Sequence, residues 1–299
     1  MLNRLMSSVK PRRPRKPRSS RPRTPLGANG KRCYVIGDVH GRFDLLDTLI
    51  KSIAADIEER NKNGDMLQTE IVFLGDLIDR GPQSKDVVEF VRQLRVENGR
   101  THLIMGNHEE MLLKGLYSDA RLLNDWLRHG GAACAASYGL APQKLLGQSA
   151  QTIQKRLRDT IPESHRNFLR HAVQSVIFGN FFLTHAGVRP EIPINKQSGK
   201  DLRWIRNEFL ESTADHGFVI VHGHSPRPSV ELLFNRIGLD TGAYVSGVLS
   251  ALMIEGAKLV LFQSKTNETT SDETTTSVDK GPVELKPRAV SHKPHFAAS

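Results

Sequence analysis

Cysteine is scarce in this sequence, and long apolar runs are missing from it. Cys33 and Cys134 are the only cysteines among 299 residues, so neither a disulfide framework nor a thiolate metal site is expected. No stretch approaches the roughly 20 apolar residues of a membrane-spanning helix, and no signal-peptide pattern follows the first basic residues. We therefore expect a cytoplasmic protein that does not span a membrane.

Acidic residues are absent from residues 1–32, where eleven Lys and Arg occur. The remaining chain has 31 basic and 32 acidic residues, so the formal net charge of +10 arises from this N-terminal arm. A body that binds nucleic acid is therefore not indicated. Residues 1–30 are rich in Pro and Arg and are expected to be disordered. The arm is expected either to contact the phosphates of a nucleic acid or an anionic membrane, or only to keep the chain in solution.

The hydrophobic pattern of residues 31–263 predicts one α/β domain. Short apolar runs alternate with segments of helical spacing, which is typical of α/β folds. Helices are expected over 43–60, 87–96 and most of 109–173, and short strands within 231–262 are expected to form hairpins in a second sheet. Residues 264–299 are rich in Thr, Ser and Glu at their start and are predicted to be a disordered low-complexity tail.

Five apolar runs each end in residues that can bind a metal ion. The carboxyl ends of strands in open α/β sheets form ligand sites, so these residues are expected to meet at one sheet edge. A lone histidine is more often a structural residue than a ligand, but five such strand ends together favour a metal site. The groups are Gly37-Asp38-Val39-His40, Gly75-Asp76-Leu77-Ile78-Asp79-Arg80, Gly106-Asn107-His108-Glu109, His185 and His222-Gly223-His224.

Nitrogen and oxygen donors without thiolates suit particular metals. They favour Mn, Fe or Zn over Ca or a structural zinc site. One carboxylate with two oxygens can bridge two cations about 3.5 to 4 Å apart, the separation in two-metal hydrolases. Asp76 lies in the middle of the five loops and is the expected bridge.

These motifs, together with Thr184-His185-Ala186-Gly187 and Gly223-His224-Ser225-Pro226, resemble the phosphoprotein phosphatase branch of the calcineurin-like metallophosphoesterases. The resemblance covers about residues 32–262 and is strongest to bacterial and phage serine/threonine protein phosphatases. It implies a four-layer α/β/β/α sandwich of two mixed β-sheets flanked by helices. A dinuclear metal site is implied at the C-terminal strand ends, within a catalytic domain over 31–263.

The resemblance also implies the metal ligands. Asp38, His40 and Asp76 would hold the first ion. The second would be held by four residues, with His222 as a fallback ligand or a neighbour of the ligands. Two divalent ions, with Mn expected and Fe or Zn as alternatives, would offset the charge of a phosphate ester and activate a water. The four residues at the second ion are Asp76, Asn107, His185 and His224.

Further residues are expected to act on the substrate. His108 follows a ligand without being one and is the expected general acid, charged and oriented by Asp79. Arg80 has a planar guanidinium suited to phosphate oxygens, and Asn107 is expected to contact the phosphate as well. The resemblance implies a second arginine, matched by Arg206, with Arg203 as its competitor.

The expected activity is phosphomonoester hydrolysis on phosphoprotein substrates, most of all at serine and threonine. A related enzyme class, symmetric diadenosine tetraphosphate hydrolases, is the alternative. Those enzymes typically have Ala in place of Asp79 and Asp in place of Glu109, so both positions favour the protein phosphatase. A binding protein with a lost active site is a third hypothesis, which the complete ligand set disfavours.

Overall fold

Twelve strands and ten α-helices make up the described part of the chain. The structure is a computed structural model that describes residues 24–267, 275–278 and 281–285. In chain order the strands are β1 (Lys31–Ile36), β2 (Gln68–Phe73), β3 (Thr101–Leu103), β4 (Ser175–Phe178), β5 (Phe181–Thr184), β6 (Val219–His222), β7 (Glu231–Leu232), β8 (Arg236–Gly238), β9 (Val248–Glu255), β10 (Lys258–Asn267), β11 (Thr275–Val278) and β12 (Val283–Leu285).

The helices lie between these strands. They are α1 (Phe43–Lys62), α2 (Ser84–Asn98), α3 (Asn107–Tyr117), α4 (Leu122–Trp126), α5 (Ala132–Ser137), α6 (Ala150–Thr160), α7 (Glu163–Arg170), α8 (Gly199–Trp204), α9 (Asn207–Leu210) and α10 (Ala243–Ser246). The long helix α1 confirms the helix expected over 43–60 and buries Leu45, Leu46, Leu49 and Ile53. Among the described helices, none is long and apolar enough to cross a membrane.

The strands form two mixed sheets. The first has the order β11-β10-β9-β1-β2-β3, with β12 also pairing with β10, and β1 and β2 are parallel. The second has the order β4-β5-β6-β8-β7, with β5, β6 and β8 parallel. The hairpin of β9 and β10 therefore lies in the first sheet, where β9 pairs antiparallel with β1. The prediction of hairpins in a second sheet over 231–262 is thus wrong for this part and holds for β7 and β8.

Alternation along β1 explains the layers. Tyr34 and Ile36 point to one face and pack with residues of α1 and α2, whereas Cys33 and Val35 point to the other face. There they pack against Leu183 and other residues of the second sheet. The outer face of the second sheet is covered by α8 and α9, through a third cluster around Phe209. The predicted α/β/β/α sandwich is confirmed.

The predicted tails fall mainly outside the described residues. Within the predicted C-terminal tail, 264–299, β10 continues to Asn267, and β11 and β12 pair with it. Threonine has a high β-propensity, so a Thr-rich segment can extend a sheet even where its composition resembles a linker. Of the predicted N-terminal arm, 1–30, the structure describes residues 24–30.

Candidate two-metal active site

The loops after β1, β2 and β6 share an unusual backbone. His40, Asp76, Asp79, Arg80 and His224 have φ values of 46°, 49°, 75°, 68° and 66°, in the left-handed region that non-glycine residues seldom adopt. Such residues cost of order 1–3 kcal/mol each and cluster at functional sites. Two of the loops are joined by backbone hydrogen bonds, in which the N–H of His40 donates to the Asp76 carbonyl at 2.9 Å and the N–H of Gly81 to the His40 carbonyl at 3.0 Å. The site is thus held in shape by its backbone.

Glu109 orders the loop that follows β2. Its buried carboxylate accepts hydrogen bonds from the backbone N–H groups of Asp76 at 2.9 Å, Leu77 at 2.8 Å, Ile78 at 3.3 Å and Gly106 at 3.1 Å. Burial and the nearby charge of Asp76 raise the pKa of Glu109 to about 7. The motif placed Glu109 beside the site, but its task of ordering the loop depends on contacts that sequence spacing does not show.

Four of the predicted ligands converge in one half of the site. The Oδ1 atom of Asn107 lies 2.8 Å from His185 Nε2 and 2.8 Å from His224 Nδ1. His185 Nε2 is also 3.4 Å from Asp76 Oδ2. The Nδ1 atom of His185 donates to the Leu74 carbonyl at 2.9 Å, which leaves Nε2 to face the other donors. We name Asp76, Asn107, His185 and His224 the nitrogen-rich half.

The other half contains Asp38, His40 and Asp76, and we name it the carboxylate-rich half. His40 Nδ1 donates to the Ile78 carbonyl at 2.9 Å, and its Nε2 lies 3.6 Å from Asp76 Oδ2. Asp38 Oδ2 accepts from the backbone N–H of His224 at 3.0 Å. A Cβ atom at Gly223 would collide with Asp38 Oδ1, so a larger residue there would displace this carboxylate.

The protonation states of these groups suit metal ligands. Burial lowers the pKa of His40 to about 3, and burial together with the nearby His185 lowers that of His224, so both imidazoles are neutral at pH 7. Burial opposes ionisation of Asp76, but the adjacent His185, His108 and His40 hold its pKa well below its ordinary value.

Two buried atoms of the predicted metal ligands lack a hydrogen-bond partner among the described residues. They are Asp38 Oδ1 and His224 Nε2. An unpartnered buried carboxylate oxygen is costly unless a cation or a donor compensates it. Donor separations of 2.8 to 3.6 Å also suit ligands at about 2 Å from shared ions. The residues therefore fit a pair of divalent ions.

Asp240 is a third carboxylate near the carboxylate-rich half and was not among the predicted site residues. It follows β8 and is buried, and its Oδ1 accepts from the backbone N–H of Gly242 at 2.9 Å. Burial and the charge of Asp76 raise the pKa of Asp240 to about 6, although the hydrogen bond from Gly242 lowers it. Burial and the charges of Asp240 and Asp76 also raise the pKa of Asp38 well above its ordinary value. The available signal was one more strand-end aspartate, in Gly238-Leu239-Asp240, after a strand of only three residues.

His108 is oriented by Asp79. Its Nδ1 atom lies 2.7 Å from Asp79 Oδ2, which also accepts from the Trp126 indole N–H at 2.8 Å. Burial lowers the pKa of His108, but the charge of Asp76 and the hydrogen bond with Asp79 outweigh burial and raise it to about 9.

The other nitrogen of His108 has two neighbours that bear on its role. Arg80 Nη2 lies 3.2 Å from His108 Nε2, a contact that suits a neutral ring, whereas the raised pKa favours a charged one. In both the neutral and the charged ring, Nδ1 carries a proton and donates it to Asp79. This contact of 2.7 Å is shorter than the one with Arg80 and sets the ring orientation. His108 Nε2 is also 3.9 Å from Asp76 Oδ2, and His40, Asp76 and His108 can be grouped around an ion. His108 is thus a competitor for the ligand role that sequence analysis assigned to Asp38.

The two candidate arginines for the second phosphate contact differ in their partners. Arg203 donates to Glu110 Oε1 at 2.8 Å and contacts Gln174, so its guanidinium is engaged. Arg206 is exposed, its charge contributes to lowering the pKa of His224, and its guanidinium makes no ion pair within the described residues. Arg80 lies with its Cζ 4.4 Å from the centroid of the Tyr244 ring. The arrangement favours Arg80 and Arg206 as the cations that remain free for an anion.

His222 does not face the donors. It lies on the outer face of the second sheet, where its ring is 5.0 Å from that of Phe209, and its Nδ1 lies 3.1 Å from the Gly223 carbonyl. Since side chains alternate along β6, Ile220 and His222 share this outer face while Val221 points between the sheets. The expectation of a fallback ligand or a neighbour of the ligands is therefore wrong.

Solved structures share this fold. One, provisionally assigned as a diadenosine tetraphosphatase, has a TM-score of 0.54 at 21% sequence identity, and the match covers 80% of this chain and 96% of that chain. A cold-active protein-tyrosine phosphatase of a psychrophilic Shewanella has a TM-score of 0.51 at 21% identity, over 77% of each chain. At this identity the two matches bear on the fold alone.

Bacterial relatives bear on the activity. A protein of Anoxybacillus flavithermus named bis(5'-nucleosyl)-tetraphosphatase PrpE, asymmetrical, is 27% identical over 236 residues, which are 73% of this chain and 88% of the relative. A protein of the same name from Halalkalibacterium halodurans is 26% identical over 250 residues, 77% of this chain and 93% of the relative.

These relatives contradict the expectation of a serine/threonine protein phosphatase and favour the substrate class of its alternative, although they are named for asymmetrical and not symmetric cleavage. That expectation relied on Asp79 and Glu109. Both side chains are fully buried. Asp79 contacts His108 and Trp126, and Glu109 contacts backbone N–H groups of the loop after β2. Neither can touch the group that leaves the phosphate, so neither distinguishes a phosphoprotein from a nucleotide.

A family-wide comparison covers most of the chain. The sequence pattern of the calcineurin-like phosphoesterases matches residues 31–262, a range that contains all five predicted strand ends and Asp240. The chain is thus a metallophosphoesterase hydrolase by family, with a site suited to divalent ions. It belongs to the calcineurin-like phosphoesterase family.

Proposed function

We propose that this protein is a metal-dependent hydrolase of bis(5'-nucleosyl) tetraphosphates. The donor set is shared by phosphatases of several substrate classes, so it supports phosphoester hydrolysis without choosing a substrate. The observation that carries the choice is the name shared by the bacterial relatives, which align over about three quarters of this chain. The asymmetrical form in that name favours cleavage to a nucleoside triphosphate and a nucleoside monophosphate.

Two groups of residues would hold the ions. Asp38, His40 and Asp76 would hold one, and the nitrogen-rich half would hold the other, with Asp76 shared. When bound, the ions would supply charge compensation and a lowered pKa for an attacking water. Mn is the proposed metal because oxygen and nitrogen donors without sulfur suit it, with Fe and Zn as the competitors.

The phosphate chain would be bound by residues beside the donors. Arg80 and Arg206 carry guanidinium groups without a carboxylate partner within the described residues, and each can offer two parallel N–H groups to phosphate oxygens. The Asn107 side chain lies between the two imidazoles of its half and would also face the phosphate. A tetraphosphate carries more negative charge than a phosphomonoester, so it needs more than one arginine.

His108 would donate a proton to the leaving phosphate oxygen, with Asp79 holding the ring through Nδ1. A departing nucleotide phosphate is a much weaker base than the alkoxide of serine. It therefore depends less on protonation as it leaves, and the benefit from His108 is smaller than for a phosphoserine substrate.

A substrate panel tests the proposal. The purified protein, stripped with a chelator and reloaded with Mn, is incubated in parallel with diadenosine tetraphosphate, p-nitrophenyl phosphate and phosphoserine peptides, and products are separated by ion-exchange chromatography. We expect the dinucleotide to give ATP and AMP at the highest kcat/KM, and the chelated protein to be inactive. ADP as sole product would assign symmetric cleavage. Turnover of phosphopeptides with an intact dinucleotide would refute the proposal.

A further inference from the structure

One exposed aromatic side chain lies directly beside the nitrogen-rich half. Trp204, the last residue of α8, is 37% exposed, and its ring centroid is 6.4 Å from that of His224, with the planes at 75°. Leu202 and Ile205 on either side of it are buried, so the backbone at this position is anchored. The indole thus presents surface to solvent at the rim of the candidate active site.

The orientation of this indole is fixed by Glu110. The Oε2 atom of Glu110 accepts from the Trp204 indole N–H at 2.5 Å, and its Oε1 accepts from Arg203 at 2.8 Å and from Lys114 at 3.0 Å. Glu110 lies on α3, directly after the Gly106-Asn107-His108-Glu109 motif. The polar edge of the indole is therefore satisfied, and its exposed part is free to contact a planar, apolar group.

Tyr244 is the other exposed aromatic residue at the rim, on the carboxylate-rich side. Its ring is 5.3 Å from that of His40, and one of its faces is covered by the guanidinium of Arg80 at 4.4 Å. This contact assigns Tyr244 to holding Arg80. In contrast, no cation lies over the ring of Trp204 within the described residues.

We propose that the exposed face of Trp204 is a nucleobase platform, positioned by Glu110, for the nucleoside end of the substrate. This inference rests on the proposed function and adds the group that recognises the base. Arg206 follows Trp204 by two residues and is exposed as well, so an aromatic face and a cation for phosphate occur on one short segment beside His224. A nucleotide joins a flat base and a phosphate in the same way. Stacking of one base on an aromatic side chain contributes about 5- to 150-fold in affinity.

Kinetics of matched variants test the platform. Trp204→Ala, Trp204→Phe, Glu110→Gln and the control Phe234→Ala are compared on diadenosine tetraphosphate and on p-nitrophenyl phosphate, which has no nucleobase. Phe234 is a suitable control because it is exposed to a similar extent, 38%, and lies in the turn between β7 and β8. For Trp204→Ala we expect KM for the dinucleotide to rise about 5- to 150-fold and the ratio of the two kcat/KM values to fall by a similar factor. Trp204→Phe should restore most of the loss, and Glu110→Gln should cause a smaller rise in KM.

Fluorescence gives an independent readout. The chain has two tryptophans, and the other, Trp126, is fully buried and bonded to Asp79. AMP should therefore quench the emission of Trp204 with saturation, ribose 5-phosphate should not, and the Trp204→Phe protein should lose the response to AMP.

The outcomes separate the two proposals. Equal losses of Trp204→Ala on both substrates, or identical responses to AMP and ribose 5-phosphate, would overturn the platform while leaving dinucleotide hydrolysis intact. A native protein that leaves the dinucleotide uncleaved would refute the proposed function, and the AMP titration would still decide whether a base binds at Trp204.

Discussion

Around His185 the donors are two imidazoles, an amide and one carboxylate, whereas around His40 carboxylates predominate. In the nitrogen-rich half, Asn107 Oδ1 lies 2.8 Å from a nitrogen of each histidine, and the buried atom without a partner among the described residues is an imidazole nitrogen, His224 Nε2. In the carboxylate-rich half, the corresponding unpartnered atom is a carboxylate oxygen, Asp38 Oδ1. The two halves share Asp76 and differ in what they need from a cation.

The contrast has an electrostatic cause. Asp38, Asp76 and Asp240 are all buried, and like charge disfavours ionisation within the group: Asp240 and Asp76 raise the pKa of Asp38, and Asp76 raises the pKa of Asp240. In the nitrogen-rich half, Asp76 faces His185, where burial lowers the pKa of the imidazole and the charge of Asp76 outweighs burial and raises that pKa. A divalent ion therefore relieves repulsion in one half and replaces hydrogen bonds in the other.

The largest effect is expected where the two halves meet. Asp76→Asn removes one of two shared carboxylate oxygens and the charge that both halves use, so we expect loss of both ions and of all measurable hydrolysis. Metal content by inductively coupled plasma mass spectrometry and turnover of p-nitrophenyl phosphate are the measurements. The control is Asp119→Asn, an exposed carboxylate paired with Arg121. Two ions per chain in Asp76→Asn would show that Asp76 is not the bridge.

A smaller effect is expected from breaking one half alone. His40→Ala should lose the ion of the carboxylate-rich half and retain the other, because the four donors around His185 are untouched. Metal content at graded free Mn²⁺ should then show one strong site per chain. His129→Ala, an exposed histidine bonded to the Asp125 carbonyl, is the control. Simultaneous loss of both ions would mean that the halves bind metal as one unit.

His108 provides the next test, because it lies near both halves. If His108 is a proton donor and not a ligand, the His108→Asn protein should keep both ions. Its turnover should fall about 10² to 10⁴-fold for aryl phosphates with poor leaving groups. More acidic phenols need less protonation and should lose less, and Asp79→Asn should give a weaker form of the same trend. Rates across phenols of graded acidity, with metal content measured alongside, decide the matter. If His108→Asn lost an ion, His108 would be a ligand of the carboxylate-rich half.

Several parts of this site could be predicted from the chain because their signals are local. Each of Asp38, Asp76 and Asn107 follows a glycine at the end of an apolar run, and the runs are strands in the structure. The sandwich itself follows from the same alternation of strands and helices. What the pattern could not show was which strands pair, since β9 and β10 join the first sheet through pairing with β1, over 200 residues away in the sequence.

The residues that were not predicted share a physical reason: their signals are short or depend on distant contacts. Asp240 follows a strand of three residues, too short for its apolar pattern to stand out. The contact of Glu110 with Trp204 spans 94 residues, and the hydrogen bonds from Glu109 end on backbone N–H groups, which carry no side-chain signature. His222 was misplaced because it is still part of β6 and shares the outer face with Ile220, whereas His224 lies beyond the strand with a left-handed backbone, and two histidines in one motif hide that difference.

The smallest effect concerns Asp240, which lies beside the carboxylate-rich half and is not a predicted ligand. Asp240→Asn removes one of three like charges, so the metal-free protein should gain about 1 kcal/mol at pH 7.5, seen as a rise in Tm of about 2–4 °C. Asp215→Asn is a matched control, because Asp215 also accepts from the backbone N–H of a glycine two residues on but is exposed.

The pH dependence of that gain separates charge from packing. Burial raises the pKa of Asp240 to about 6 from an ordinary 3.8, so the folded protein keeps this proton at a pH where the unfolded chain has lost it. The stability contributed by the neutral form is complete below the ordinary pKa and is lost as the pH rises through about 6. The gain in Asp240→Asn should thus be full at pH 7.5 and smaller at pH 4.5, and it should vanish when Mn²⁺ compensates the charge. A gain that is equal at both values, or that persists with saturating Mn²⁺, would show that repulsion among the carboxylates does not set the difference between the halves.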